Sequence, residues 1–162
     1  MKEISAKQID KNIIDIIANE WMLVSAGDES GFNMMTASWG GMGEMWSKDV
    51  AVCVIRPQRY TYEFMERNEK FALSFYGDNK AIHSVCGKKS GRDINKTDET
   101  GLIPLFTDGT VTFEQARMTI ICRKLYKQQI DPECFTDKSL LSNYNDDYHY
   151  VFVGEIEKVY IK

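Results

Sequence analysis

The sequence predicts a mainly β domain in which short helices punctuate an antiparallel sheet, and three observations carry that expectation. Short apolar segments recur between clusters of turn residues along most of the chain. Val50 to Ile55 is a continuous, valine-rich run, as expected of a central strand covered on both faces. From Arg117 to Ile130, Arg117, Thr119 and Ile121 alternate with Met118, Ile120 and Cys122, the period of a pleated strand. Neither a repeat nor a Pro/Gly/Ser-rich linker interrupts the 162 residues, so residues 1–162 read as one domain. The number of strands favours closure into a barrel.

Each element has a local reason. The spacing of Ile9, Ile13, Ile16 and Ile17 fits a first helix. Trp21 to Ala26 reads as a strand, Gly27 to Gly31 as its turn, and Phe32 to Trp39 as the returning strand of a hairpin. After Pro57, Thr61 is placed to cap a helix that runs to about Asn68. Phe71 to Tyr76 is the next strand. Lys80 to Cys86 reads as helical, with Gly87 where a C-terminal glycine belongs. Thr110 to Ala116, Arg117 to Ile130 and Tyr148 to Ile161 complete the strands.

Several function classes are excluded. Hydrophobic residues at 43% and charged residues at 27% are ordinary globular values, not those of a disordered or collagen-like chain. With 20 basic and 24 acidic residues the net charge is −4, a field that attracts neither nucleic acid nor an anionic membrane. The longest apolar run, Val50 to Ile55, is far short of the roughly 20 residues that span a bilayer. The polar start, Met1 to Lys7, has no apolar core of a signal peptide, so a soluble, cytoplasmic protein is expected. Cys53, Cys86, Cys122 and Cys134 form no Cys-x-x-Cys and read as buried, reduced thiols. The two histidines, His83 and His149, lie too far apart in sequence to suggest a metal site, and none is expected. Gly40-Gly41-Met42-Gly43 lacks the last glycine of a dinucleotide fingerprint, and Ser38 is not in a hydrolase elbow.

Three polar segments suit a flat, phosphorylated ligand. In Asn33-Met34-Met35-Thr36-Ala37-Ser38-Trp39-Gly40, two hydroxyls two residues apart share one strand face. The glycines that follow let backbone amides approach a ligand. Arg56-Pro57-Gln58-Arg59-Tyr60-Thr61 offers two planar guanidiniums beside a helix start, a good oxyanion site. Lys88-Lys89-Ser90-Gly91-Arg92-Asp93 concentrates positive charge, and Ser90 with Asp93 has the spacing of a helix cap. Each segment also has a plainer reading: a half-buried hairpin strand, arginines in surface ion pairs, and a solvated loop. His149, flanked by Tyr148 and Tyr150, reads alone as a structural strand residue.

Together these stretches resemble the flavin reductase-like family, and within it the flavoredoxin-like branch, whose members have the FMN-binding split-barrel fold. The matching residues are Asn33-x-Met35-Thr36-Ala37-Ser38-Trp39-Gly40-Gly41, Arg56-Pro57-x-Arg59-Tyr60-Thr61, Cys86-Gly87-x-Lys89-Ser90-Gly91-Arg92-Asp93 and His149-x-x-x-Val153-Gly154-Glu155-Ile156, in the family's order. The resemblance implies a homodimer that binds FMN. It places Met35, Thr36, Ala37 and Ser38, with Asn33 and Trp39 in the same stretch, along the ring and ribityl chain. It places Arg56, Arg59, Tyr60 and Thr61 toward the ribityl chain and phosphate, and Lys89, Ser90 and Arg92 at the phosphate end. His149 is implied near a nicotinamide site, with NADH or NADPH as co-substrate.

The leading expectation is therefore an NAD(P)H-dependent flavin reductase. A different class remains open: an FMN electron carrier that passes electrons between redox protein partners without a nicotinamide site. A non-redox flavin-binding protein is a third reading, and the pyridoxamine phosphate oxidases, which share the barrel, are a weaker one. Fast reduction by a protein donor but not by a nicotinamide separates the carrier from the reductase.

Overall fold

Alternation along the strands decides which side chains turn inward, and the computed structural model, which describes residues 1–162, shows where those faces meet. The strands are β1 (Lys2–Ile4), β2 (Met22–Asp28), β3 (Gly31–Ala37), β4 (Gly40–Met45), β5 (Lys48–Ile55), β6 (Lys70–Phe75), β7 (Pro104–Thr107), β8 (Thr110–Phe113), β9 (Met118–Gln129) and β10 (Tyr150–Ile161). Seven of them hydrogen-bond in the order β3-β2-β6-β9-β10-β5-β4, with β1 added on β10, and every pairing is antiparallel. β7 and β8 form a separate hairpin. The helices are α1 (Ile13–Asp15), continued by a wider turn over Ile16–Glu20, then α2 (Tyr60–Arg67), α3 (Lys80–Lys88) and α4 (Lys96–Thr100). The expected mainly β fold with short helices is the observed one.

The sheet curls around one core. Met35 and Ala37 from β3 share it with Ala51, Cys53 and Ile55 from β5, although β3 and β5 stand far apart in the strand order. A second, smaller core lies outside the sheet, where Leu23 and Met34 meet Ile82 and Cys86 of α3 and Val111 and Phe113 of β8. β2 thus has both faces covered, which is why six of its seven residues are buried.

Several local expectations are corrected. Arg59, not Thr61, is the residue before α2, and Thr61 is buried inside the helix. Gly87 lies within α3, which ends at Lys88, and the backbone N–H of Lys89 closes onto Val85. It faces Thr36, which a Cβ there would meet at an ordinary contact distance of 3.5 Å. Ser90 caps no helix; its hydroxyl accepts from the Arg92 N–H in a turn, and α4 starts later, capped by Asn95. The strand expected at Thr110 to Ala116 ends at Phe113, and β1, β4 and β7 were not anticipated. His149 lies just before β10 rather than in it. Cys53, Cys86 and Cys122 are buried and free, but Cys134 is exposed.

The outer face of β4, β5, β9 and β10 carries an apolar groove of about 820 Å³, lined among others by Met45, Trp46, Val52, Tyr126 and Phe135. Trp46 is 56% exposed there and packs against Tyr126. No helix is long and apolar enough to cross a membrane.

Candidate functional site

The end of β3, the end of β5 and the start of α2 converge on one groove. Alternation sends Met35 and Ala37 toward the barrel core and Thr36 toward α3, so the strand presents its backbone and part of each side chain at the opening. The groove, of about 310 Å³, is lined by Met35 to Trp39, Val54, Arg56, Arg59 and His149. Beside it lies a smaller polar cavity of about 90 Å³, walled by Arg59, Tyr60 and Thr61 of the α2 start, by Lys88, Lys89, Ser90 and Gly91, and by Lys96. Arg59 lines both, so the two spaces are neighbours. A groove of mixed polar and apolar lining joined to a small cationic cavity fits a ring system with polar edges that carries a phosphate. The helix start adds partial positive charge to the small cavity.

The arginines are tied down by the protein itself. Arg59 donates through Nη1 to the Gly87 carbonyl at 2.7 Å and through Nη2 to the Cys86 carbonyl at 2.9 Å. It thereby fixes the end of α3 to the start of α2, and burial lowers its pKa. Arg56 forms an ion pair with Asp147 and donates to the Asn143 carbonyl at 3.0 Å. It anchors the loop that carries His149, and its guanidinium lies 5.7 Å from the Tyr144 ring.

His149 packs on Trp39, with ring centroids 4.9 Å apart, and meets Tyr144 edge-on. Its Nδ1 is buried without a partner. Desolvation by burial, then Arg56, push its pKa below the ordinary value against the pull of Asp147. The imidazole is therefore neutral near pH 7, and His149 lines the groove.

Not every residue expected at the site reaches these two cavities. Asn33 is buried, donates to the Thr61 hydroxyl at 2.9 Å, and holds β3 against α2. A Cβ on Gly91 would lie 2.2 Å from the Asn33 side-chain oxygen, so glycine is required for that close approach. Arg92 stacks over Tyr60 at 4.6 Å and pairs with Glu63. Asn33 and Arg92 both face a further polar groove of about 610 Å³, which shares Gly91 and Lys96 with the small cavity. Lys89 pairs with Glu99 at 2.8 Å.

Two further residues were not anticipated. His83 is buried beneath the site; its Nδ1 lies 3.0 Å from the Thr36 hydroxyl, which also donates to the His83 carbonyl at 3.2 Å. Lys96 of α4 is 4% exposed and reaches the small cavity. A single Lys in the polar stretch Asn95 to Glu99 gives no sign of burial, and an isolated His in a helix gives none of contact with a strand 47 residues earlier. No group of three or more His, Cys, Asp or Glu is placed to hold a metal ion.

Comparison with known proteins gives a consistent picture. The model of the flavin reductase like domain matches residues 15–162. Among solved structures, the flavoredoxin of Desulfovibrio vulgaris (Miyazaki F) superimposes with a TM-score of 0.69 at 19% identity, over 98% of this chain and 77% of that one. An FMN-binding protein from Thermus thermophilus superimposes with a TM-score of 0.67 at 18% identity, over 99% and 80%. The NADH:FAD oxidoreductase SgcE6 of Streptomyces globisporus C-1027 does so with a TM-score of 0.64 at 12% identity, over 88% and 76%. At these identities the structures share a fold. No curated protein matches the chain by sequence.

Proposed function

The chain belongs to the flavin reductase like family, and from that premise we propose that it holds FMN and works as an NAD(P)H-dependent flavin reductase. The observation that carries the reading is the pair of adjoining spaces that share Arg59, one lined by the end of β3 with Trp39 and His149 and one cationic. FMN, when bound, supplies two-electron chemistry between a nicotinamide donor and an acceptor. The chain's own residues bind and orient. Met35 to Ser38 and the backbone of β3 lie along the ring and ribityl chain, and Arg56 braces the loop over the groove. Tyr60, Thr61, Lys89 and Ser90 surround the phosphate, with Arg59 between the two ends. Asn33, Gly91 and Arg92 set the geometry of that end from behind. His149, neutral and packed on Trp39 at the groove wall, is the side chain we assign to the nicotinamide side of the site.

The apolar groove around Trp46 and Tyr126 supports a homodimer, because a lone chain would leave that face against water. An FMN electron carrier served by redox protein partners is the second reading, favoured by the fold shared with a flavoredoxin. A cytoplasmic location accords with either.

The deciding experiment is a visible spectrum of the purified protein, followed by anaerobic NADH and NADPH. Flavin that bleaches over many turnovers with an acceptor present supports the reductase. Bound flavin that bleaches with dithionite but with neither nicotinamide supports the carrier. Protein that is colourless and takes up no added FMN overturns both.

A further inference from the structure

Lys96 is buried with no carboxylate to balance it. Its Nζ donates to the Met34 carbonyl at 2.8 Å and to the Cys86 carbonyl at 3.2 Å. An ammonium has three hydrogens, so one is left over, and Lys96 lines both the small cavity and the neighbouring 610 Å³ groove, which Glu29, Arg92 and Asp93 also face. The Cys86 carbonyl is the same oxygen that accepts from Arg59 at 2.9 Å. One buried and one half-buried cation therefore share one neutral acceptor, and neither takes part in an ion pair within the chain. Burying a charge in this way is costly unless a counter-charge arrives. The other charged groups facing the cavity are Lys88 and Lys89 at the end of α3, and Lys89 alone among them is paired, to Glu99 of α4. The Cys86 thiol, which burial pushes up to about 11, supplies no negative charge at neutral pH.

We infer that Lys96 is the residue by which this site selects a phosphorylated flavin over an unphosphorylated one, its ammonium meeting the phosphate in the small cavity together with Arg59. The inference rests on the FMN reading above and adds to it a residue that the basic segment Lys88 to Arg92 does not contain. It also ties selectivity to the ring groove, because Lys96 holds the backbone of Met34, directly before Met35.

Burial, with Arg59 beside it, pushes the Lys96 pKa down to about 8. A phosphate favours the charged form and raises that value, so above it binding takes up a proton.

The test compares FMN with riboflavin on the wild type and on Lys96→Met, by fluorescence titration at fixed ionic strength. Loss of the ammonium is expected to raise the FMN Kd about ten- to a hundredfold and the riboflavin Kd by no more than about threefold. In the wild type, FMN is expected to weaken about tenfold from near pH 7 to near pH 9 while riboflavin holds steady. Inorganic phosphate should raise the unfolding temperature of the flavin-free wild type and not of the variant. Equal weakening of both flavins, or phosphate stabilising the variant as much as the wild type, overturns the role of Lys96. If Lys96→Met fails to fold, Lys96→Gln, whose amide can still donate to the two carbonyls but carries no charge, takes its place in the same titrations. If the wild type binds neither flavin, the FMN reading itself has failed.

Discussion

The Arg59 guanidinium lies 2.7 Å from the carbonyl oxygen of Gly87, in the last turn of α3. One side chain thus joins the start of α2 to the end of α3, the two elements that enclose the small cavity. Arg59→Ala should lower stability by about 2–3 kcal/mol, because two charge-assisted bonds are lost and the Gly87 carbonyl is left bare, while the Cys86 carbonyl keeps its bond from Lys96. For a chain of this size that is a fall of roughly 5–10 °C in the unfolding midpoint. FMN affinity should fall about tenfold or more alongside it. Weaker flavin binding with an unchanged midpoint would move the guanidinium from the carbonyls to the ligand.

His83 makes the fold sensitive to acid. The Thr36 hydroxyl is hydrogen-bonded to Nδ1 of the His83 ring at 3.0 Å, and Nε2 is buried with no partner. Burial first, then Lys80, push the His83 pKa down to about 4, with Glu20 opposing. The unfolded chain takes up its proton near the ordinary value of about 6.5, so the folded state loses ground as pH falls from there to about 4. The loss is on the order of 2–3 kcal/mol, and above about pH 6.5 this group contributes no slope. Denaturant unfolding at several pH values should show it, and His83→Gln should flatten that interval.

His149→Ala should leave FMN bound and slow its reduction by NADH. The ring touches Trp39 and Tyr144 but contributes no bond to the fold through Nδ1. Stopped-flow absorbance reads the rate, and traces identical to wild type would remove His149 from the donor's path.

Trp46→Asp should yield a monomer. A carboxylate in the apolar groove beside Tyr126 would have to be desolvated for a second copy to bind, at a cost of several kcal/mol. Sedimentation of the variant against wild type gives the answer; two identical profiles would mean that this face is not the dimer contact.

What was legible in the sequence follows from which forces act locally. β5 and the first half of β9 read correctly because apolar runs and alternation reflect burial directly. β4 did not, because Gly40, Gly41 and Gly43 have the chemistry of a turn; only pairing with β5 makes the segment a strand. Thr61 was read as a cap from its residue type, yet tertiary packing makes it the partner of Asn33 inside the helix. The basic segment was visible as charge, but ion pairs with Glu63 and Glu99 turn Arg92 and Lys89 partly to other work. Lys96 was invisible for the opposite reason: its neighbours are polar, and burial comes from α4 packing on α3 and β3.

The uneven exposure of the four cysteines has a practical consequence. Cys134, at the end of the short turn Pro132–Cys134, is the one exposed thiol, and it lies on the edge of the apolar groove. A maleimide dye should therefore attach once per folded chain without any engineering, and three more times only after denaturation. Placed there, the dye becomes a gauge of that face. Its labelling rate and emission would register a second copy settling over the groove, and the count of slow thiols would report whether the barrel is still closed.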